Sequence, residues 1–336
     1  MHQSIRALRV GVLLGAIHCS NAVAQETPTI LTIDVENWVS YIDDVSDVTR
    51  RALSTSATPP TASRNFQQSV DIADIVAVNG QPAKGVAAFQ SRTVRLIPNS
   101  TPGAAIADLG RGSIVQYSYE ILQSDGTPIG SIMTSGFGGG PRTPGAPLAV
   151  TAGNMAIIGG TGAFVGARGQ AGLVFSPGSI ELRSASMAED PAARRSIGGG
   201  KVRYVVHLIP QSRPEIILTP GGPAVAHSND FTLVTAAKPA APGETLSLFA
   251  KGLGPTRPGV DPGRPFPNSP IALVNSPVEV TVNGGAAEVL AAVGYPGATD
   301  AYQVNLRLPS TTPRGVASIQ LTAAWIAGSV VTIPVQ

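Results

Sequence analysis

Ile157-Ile158-Gly159-Gly160-Thr161-Gly162-Ala163-Phe164-Val165-Gly166-Ala167-Arg168-Gly169 is the stretch on which the fold turns. A hydrophobic strand running into Gly-Gly-Thr-Gly invites a dinucleotide site, where backbone N–H groups approach a pyrophosphate at a helix start. Three features oppose that. The glycine spacing is not G-x-G-x-x-G. Gln170–Gly178 holds too much glycine and β-former to begin a long helix. The flanks look antiparallel and open no βαβ unit. A hairpin accommodates the same residues. Gly159–Gly162 bends the chain, Ala163-Phe164 sits near the apex, and Gly166–Gly169 enters the returning strand. Glycines serve sharp bends and close backbone approach in barrels.

Working outward, residues Ile30–Val39, Val94–Ile97, Ser113–Leu122 and Lys201–Ile209 alternate apolar and polar positions, which predicts strands with one face in a core. Ser124-Asp125-Gly126-Thr127-Pro128 is a turn. Polar or Gly/Pro stretches at 54–64, 98–104 and 136–147 separate the strands. The one helix-like patch, Ala188–Ser196, is interrupted by Pro191. Ser212–Ala226 carries three prolines around Gly221-Gly222 and reads as a linker. Alternation then resumes at 231–235, 245–251, 278–282, 288–293, 302–308, 318–323 and 330–335, with Asn283-Gly284-Gly285 as a hairpin turn. Short strands at this density predict an immunoglobulin-like sandwich.

Composition agrees. Charged residues make up 13% of the 336, and Gly and Pro number 38 and 29. That argues against a disordered chain, a coiled coil and a charged nucleic-acid binder. The first 24 residues read as a signal peptide: Arg6 and Arg9, the apolar run Val10–Ile17, then Ala22-Val23-Ala24 before Gln25. The apolar run is too short to span a bilayer, so no transmembrane segment is expected after cleavage. Removing residues 1–24 leaves equal numbers of acidic and basic residues and no cysteine, because Cys19 leaves with the signal. Electrostatic attraction to nucleic acid is therefore unsupported. The expected address is secreted, periplasmic or cell-surface.

The glycine segment, flanked by Asn154-Met155-Ala156 and Gln170-Ala171-Gly172, resembles the signature of the dirigent and allene oxide cyclase superfamily. The resemblance extends over about 28–212 and implies a calycin-like antiparallel β-barrel. Phe249–Pro255, Val278–Gly284, Tyr302–Pro309 and Val331–Val335 resemble an immunoglobulin-like C-terminal module of secreted soil-bacterial proteins, over about 227–336. No activity attaches to that module. The expected organisation is a signal peptide (1–24), an all-β barrel domain (25–212), a linker (213–226) and a β-sandwich (227–336).

Familiar chemistries find little footing. After signal removal only His207 and His227 remain as histidines, so a zinc site is not expected. Asp43-Asp44-Val45-Ser46-Asp47 lacks the glycine and distal glutamate of an EF-hand. Gly110–Ser113 and Gly178-Ser179 form no nucleophile elbow, and Gly199-Gly200-Lys201 is no P-loop. No cofactor is expected. The resemblance instead implies a shaped apolar cavity that holds one reacting conformer, with acidic side chains of the first strand entering it. By position those are Asp34 and Glu36, two apart on one face. Facing inward, they would carry raised pKa values suited to proton transfer. Facing outward, they are a solvated surface. Tyr119, Arg203 and His207 are candidate ligand contacts, the last two sharing one face. Arg203 and His207 equally suit the surface, with Val202, Tyr204, Val206 and Leu208 in the core. Arg194-Arg195 read as a polar loop, and Trp38, Phe164 and Trp325 as core or barrel-end packing. The leading expectation is an exported barrel that binds an apolar or amphipathic small molecule, with the sandwich contacting envelope or protein partners. Its alternatives are an isomerase, cyclase or dirigent-like guide, and a structural or adhesive envelope protein. The barrel resemblance also allows a homotrimer.

Overall fold

The computed structural model describes residues 29–43, 66–94, 112–138, 152–175 and 178–336. The signal peptide, the acidic run after Asp43, the stretches 54–64 and 98–104, and residues 139–147 lie outside them. So do residues 95–97 of the strand expected at 94–97.

The first unit is a closed antiparallel barrel. Its strands are β1 (Thr29–Asp43), β2 (Phe66–Val78), β3 (Gln81–Val94), β4 (Gly112–Gln123), β5 (Pro128–Gly138), β6 (Ala152–Gly160), β7 (Arg168–Val174) and β9 (Gly200–Ile209), with β8 (Arg183–Ser186) between the last two in sequence. Each of the eight pairs antiparallel with the next, and β9 returns to β1. Closure leaves no free edge in the wall. β8 lies outside this circuit, parallel to the second half of β1.

The glycine segment is the β6–β7 connection, built as expected around a bend. Gly162–Phe164 forms a single 3-10 turn, Gly162 takes φ +60°, and Phe164 is buried under the barrel. A second bend matters more for function. Asn37 in β1 has φ +56°, a conformation asparagine tolerates better than most residues. One extra residue there, opposite both β2 and β9, makes a bulge. Leu31, Ile33 and Val35 point inward before it. After it the parity shifts, so Trp38 and Ser40 point inward while Val39 and Tyr41 pack outside with Ile72 and Ala185 of the β8 segment.

That outer segment is pinned by charge. Asp74 of β2 accepts hydrogen bonds from Arg194 (2.6 Å), Arg195 (2.8 Å) and Asn37 (3.0 Å), and Arg183 pairs with Glu189. Burial works to raise the Asp74 pKa, but these donors outweigh it and hold the carboxyl at about 2. The polar-loop reading of Arg194-Arg195 is thus corrected: the pair opens the helical turn Arg194–Ile197 and clamps the segment to the barrel wall.

The second unit is a nearly closed β-sheet. Its strands are β10 (Glu215–Ile216), β13 (Val225–His227), β14 (Thr245–Lys251), β15 (Thr256–Arg257), β16 (Leu273–Val274), β17 (Val278–Val282), β18 (Gly285–Gly294), β19 (Tyr302–Arg307), β20 (Gly315–Ala323) and β21 (Ile326–Val335), while β11 (Leu218–Thr219) and β12 (Gly222–Pro223) pair with each other alone. β14, β19, β18, β17, β20 and β21 lie side by side around its own apolar core. Residues 213–226, read as a linker, are instead built into this unit. β10 and β13 pair with β14, and Val225 is fully buried. The prolines interrupt periodicity without freeing the chain.

The two units share a core. The β20–β21 turn places Ala324 and Trp325 at φ +49° and +63°. Ala324 and Ile326 are buried in the barrel's hydrophobic cluster, and Trp325 packs against it. Around this plug, Gln123 donates to the Asn275 carbonyl, and Arg257 Nη1 donates to Thr127 Oγ1 at 3.2 Å. These contacts meet the barrel end that carries the β4–β5 turn and Ala163, called here the lower end.

Candidate functional site

Asp34 and Glu36 lie on the outer wall. Arg203 reaches Asp34 with a two-pronged contact (Nε–Oδ1 2.6 Å, Nη2–Oδ2 2.8 Å), and Lys201 reaches Glu36 at 2.6 Å. These four side chains border an outer groove of about 550 Å³ with Val76, Ala77 and Ser179. The inward arrangement implied by the cyclase resemblance is therefore not present. The alternation of β1 and β9 commits Ile33, Val35, Val202 and Tyr204 to the core, and Asp34, Glu36 and Arg203 to the opposite face. Exposed ion pairs of this kind add little to stability. His207 also lies on the outer face, opposite Ile30, and does not line that groove. Of the candidates, only Tyr119 is inside, where it is fully buried.

The interior holds a different site. Asp71 of β2 lies across from Ser40 of β1 and Phe89 of β3. Ser40 Oγ donates to Asp71 Oδ1 at 2.6 Å, and the Ser69 and Ser91 hydroxyls bond each other at 2.8 Å beside it. Burial pushes the Asp71 carboxyl above its ordinary range, against the Ser40 and Ser69 hydroxyls, which favour the charged form. Beside the carboxyl lies an aromatic cluster. Phe89 contacts Tyr117 (4.2 Å between centroids), Tyr204 (5.5 Å) and Trp38 (5.7 Å), and Tyr119 meets Tyr204 edge-on at 5.2 Å. Burial raises the pKa of all three tyrosines, so they stay neutral.

Several polar atoms of this cluster make no hydrogen bond within the protein: Trp38 Nε1, Tyr119 Oη, Tyr204 Oη and, on β5, Thr134 Oγ1. An unsatisfied buried donor or acceptor costs about 1–3 kcal/mol. Four in one barrel interior mark a place suited to an added polar group. Among the described residues no Lys, Arg or His projects into the barrel, since Lys84, Arg92, Arg168, Lys201, Arg203 and His207 all take outward positions in the register. No group of three or more His, Cys, Asp or Glu among the described residues is placed to hold a metal. No helix there is long and apolar enough to cross a membrane.

Asp71 escapes a pattern-based reading for a physical reason. In β2 the upper alternation is inverted: Val70 and Ile72 point outward, and Ser69 and Asp71 point in. Ile72 is covered by the β8 segment, so an apolar residue is stable there. Asn79-Gly80, at φ +50° and +75°, is the available signal. It marks a two-residue hairpin, but Val78, Ile75 and Ala73 all point inward across the register shift between Asp74 and Ala77, so counting β2 back by twos from the turn sets Asp71 on the outer face.

The Asp71 environment makes a pH prediction. A carboxyl whose folded pKa is raised favours folding below its unfolded value, near 3.8, and loses that contribution as pH rises through the folded value. Thermal midpoints of wild type and Asp71→Asn, compared across pH, are expected to diverge upward from about pH 4, with the variant gaining relative stability. Parallel curves would remove the desolvated carboxylate from the account.

Comparison with known proteins yields no matching family model and no matching curated protein.

Proposed function

We propose that this is an exported β-barrel protein that binds an apolar or amphipathic small molecule in the upper half of the barrel, beside Asp71. One observation carries the reading: the Asp71 carboxyl, raised by burial, shares the inside of a closed wall with five aromatic rings, among hydroxyl and indole groups that lack protein partners. Barrel mouths are common ligand sites. The plug from the second unit occupies the lower end. Export rests on the signal-like residues 1–24. Kinship with the dirigent and allene oxide cyclase barrels rests on the glycine segment and its place in the β6–β7 bend.

A second reading gives the same site turnover. A carboxyl raised by burial is suited to proton transfer, and Asp71 would then guide a reactive intermediate as an isomerase or cyclase does. Native mass spectrometry of protein purified from its own host tests the common premise. A co-purifying small molecule, lost from Asp71→Asn, supports it. Wild-type protein of bare polypeptide mass, with no ligand from a metabolite screen, overturns it.

A further inference from the structure

We infer that the second unit carries a binding site of its own, a cleft that takes basic α-amino acids. The cleft measures about 300 Å³ and is lined by the turn 261–264, Phe266, Asp300 and Tyr302. In the turn Asp261-Pro262-Gly263-Arg264 the Arg264 N–H donates to the Asp261 carbonyl at 3.0 Å, and Gly263 takes φ +77°. Proline second and glycine third suit such a turn. The walls are fixed before any ligand arrives. The Phe266 N–H donates to the Ala298 carbonyl and the Gly297 N–H to the Phe266 carbonyl, each at 2.9 Å, which ties Phe266 to the loop that carries Asp300. Phe266 packs against Tyr302 at 5.1 Å between centroids, and Tyr302 Oη donates to the Gly254 carbonyl at 2.7 Å. Burial first, and the Asp300 charge second, raise that phenol to about 12, so it stays neutral.

Charge selects the ligand class. The cleft holds two carboxylates, Asp261 and Asp300, and one guanidinium, Arg264. A β-turn brings its first and last residues within about 7 Å, yet Asp261 and Arg264 form no ion pair. Among the described residues, no side-chain hydrogen bond or salt bridge engages any of the three. They are open to a ligand with the opposite pattern, two cationic groups and one carboxylate, which is the pattern of a basic amino acid. A metal ion would find only two carboxylates and would meet the guanidinium. A lone anion would meet both aspartates, and a plain amine would leave Arg264 unmatched. A guanidinium can hold a carboxylate with two parallel hydrogen bonds. Val260 and Phe266 line the same cleft, against the apolar stem of such a ligand.

The test titrates the full chain at neutral pH with L-lysine and two analogues that each lack one charged group, followed by NMR. Cadaverine lacks the carboxylate, and L-norleucine lacks the side-chain ammonium. L-lysine is expected to bind at least about fivefold more tightly than either, the scale of one hydrogen bond to a charged group. Arg264→Gln should bring lysine down to the affinity of cadaverine, and Asp300→Asn should weaken lysine severalfold. Both substituted residues are exposed, so the thermal midpoint of each variant is expected to match the wild type. Equal affinity of the wild type for lysine and either analogue overturns the ligand class. No detectable binding of lysine, or lysine binding that survives both substitutions unchanged, overturns the site.

Discussion

Gly169→Ala is expected to prevent the barrel from closing, with a loss on the order of 4 kcal/mol or more, the range reserved for strain at a special backbone position or comparable damage. Gly169 sits in β7 between Ile157 of β6 and Leu208 of β9, at φ +131°. L-residues with a side chain rarely adopt that conformation. A Cβ built there falls on the backbone carbonyl oxygen of His207. Two penalties therefore act at one atom: the dihedral is unfavourable, and the clash lies against the β7–β9 ladder that seals the wall. The two nearest atoms, the His207 carbonyl oxygen and carbon, are backbone and cannot swing aside. Gly159→Ala is the matched control. Gly159 belongs to the same motif, but a Cβ there meets nothing within 4 Å and its φ is ordinary. Its cost should stay within about 0.5 kcal/mol. Chemical denaturation followed by circular dichroism separates the outcomes. A well-folded Gly169→Ala protein with an unchanged midpoint would mean the glycine is dispensable, and the account of the bend would fail.

The same residues explain how far the sequence could be read. The fold was legible because most strands obey one rule, apolar inward and polar outward, and because the glycines punctuate them. Tyr302–Leu308 and Thr245–Lys251 follow that rule, and the strands form where alternation places them. The site was illegible where the rule inverts. Ser40, Ser69 and Asp71 are polar and inward, while Val39 and Ile72 are apolar and outward. Two things produce this inversion: parity shifts at Asn37 in β1 and between Asp74 and Ala77 in β2, and the outer β8 segment, which gives apolar side chains a second place to hide. Neither is local in sequence. Asp34 and Glu36 were prominent because they are acidic and adjacent on a strand, yet that prominence belongs to a surface alternation paired with Arg203 and Lys201.

Trp325→Ala is expected to destabilise both units together, by about 3 kcal/mol, the usual scale for removing a large packed aromatic. The expectation follows from where the turn residues lie. Two successive non-glycine residues, Ala324 and Trp325, hold left-handed backbone angles, a conformation costing roughly 1–2 kcal/mol per residue. A two-residue turn of this kind ordinarily uses Asn-Gly, as Asn283-Gly284 does elsewhere in the same unit. The strained choice persists because the tip makes contacts that a glycine could not. Ala324 and Ile326 are buried in the barrel cluster, and the Trp325 ring packs against it. The chain contains only two tryptophans, Trp38 inside the barrel and Trp325 at the seam. Trp38→Phe and Trp325→Phe variants therefore give each position its own fluorescence signal. Within each variant, fluorescence and circular dichroism should yield coincident midpoints and slopes, since a shared core couples the units into one transition. Separate midpoints, together with a Trp325→Ala protein whose Trp38 signal is unmoved, would make the plug a passive contact. The second unit would then be an independent module, and not the floor of the barrel.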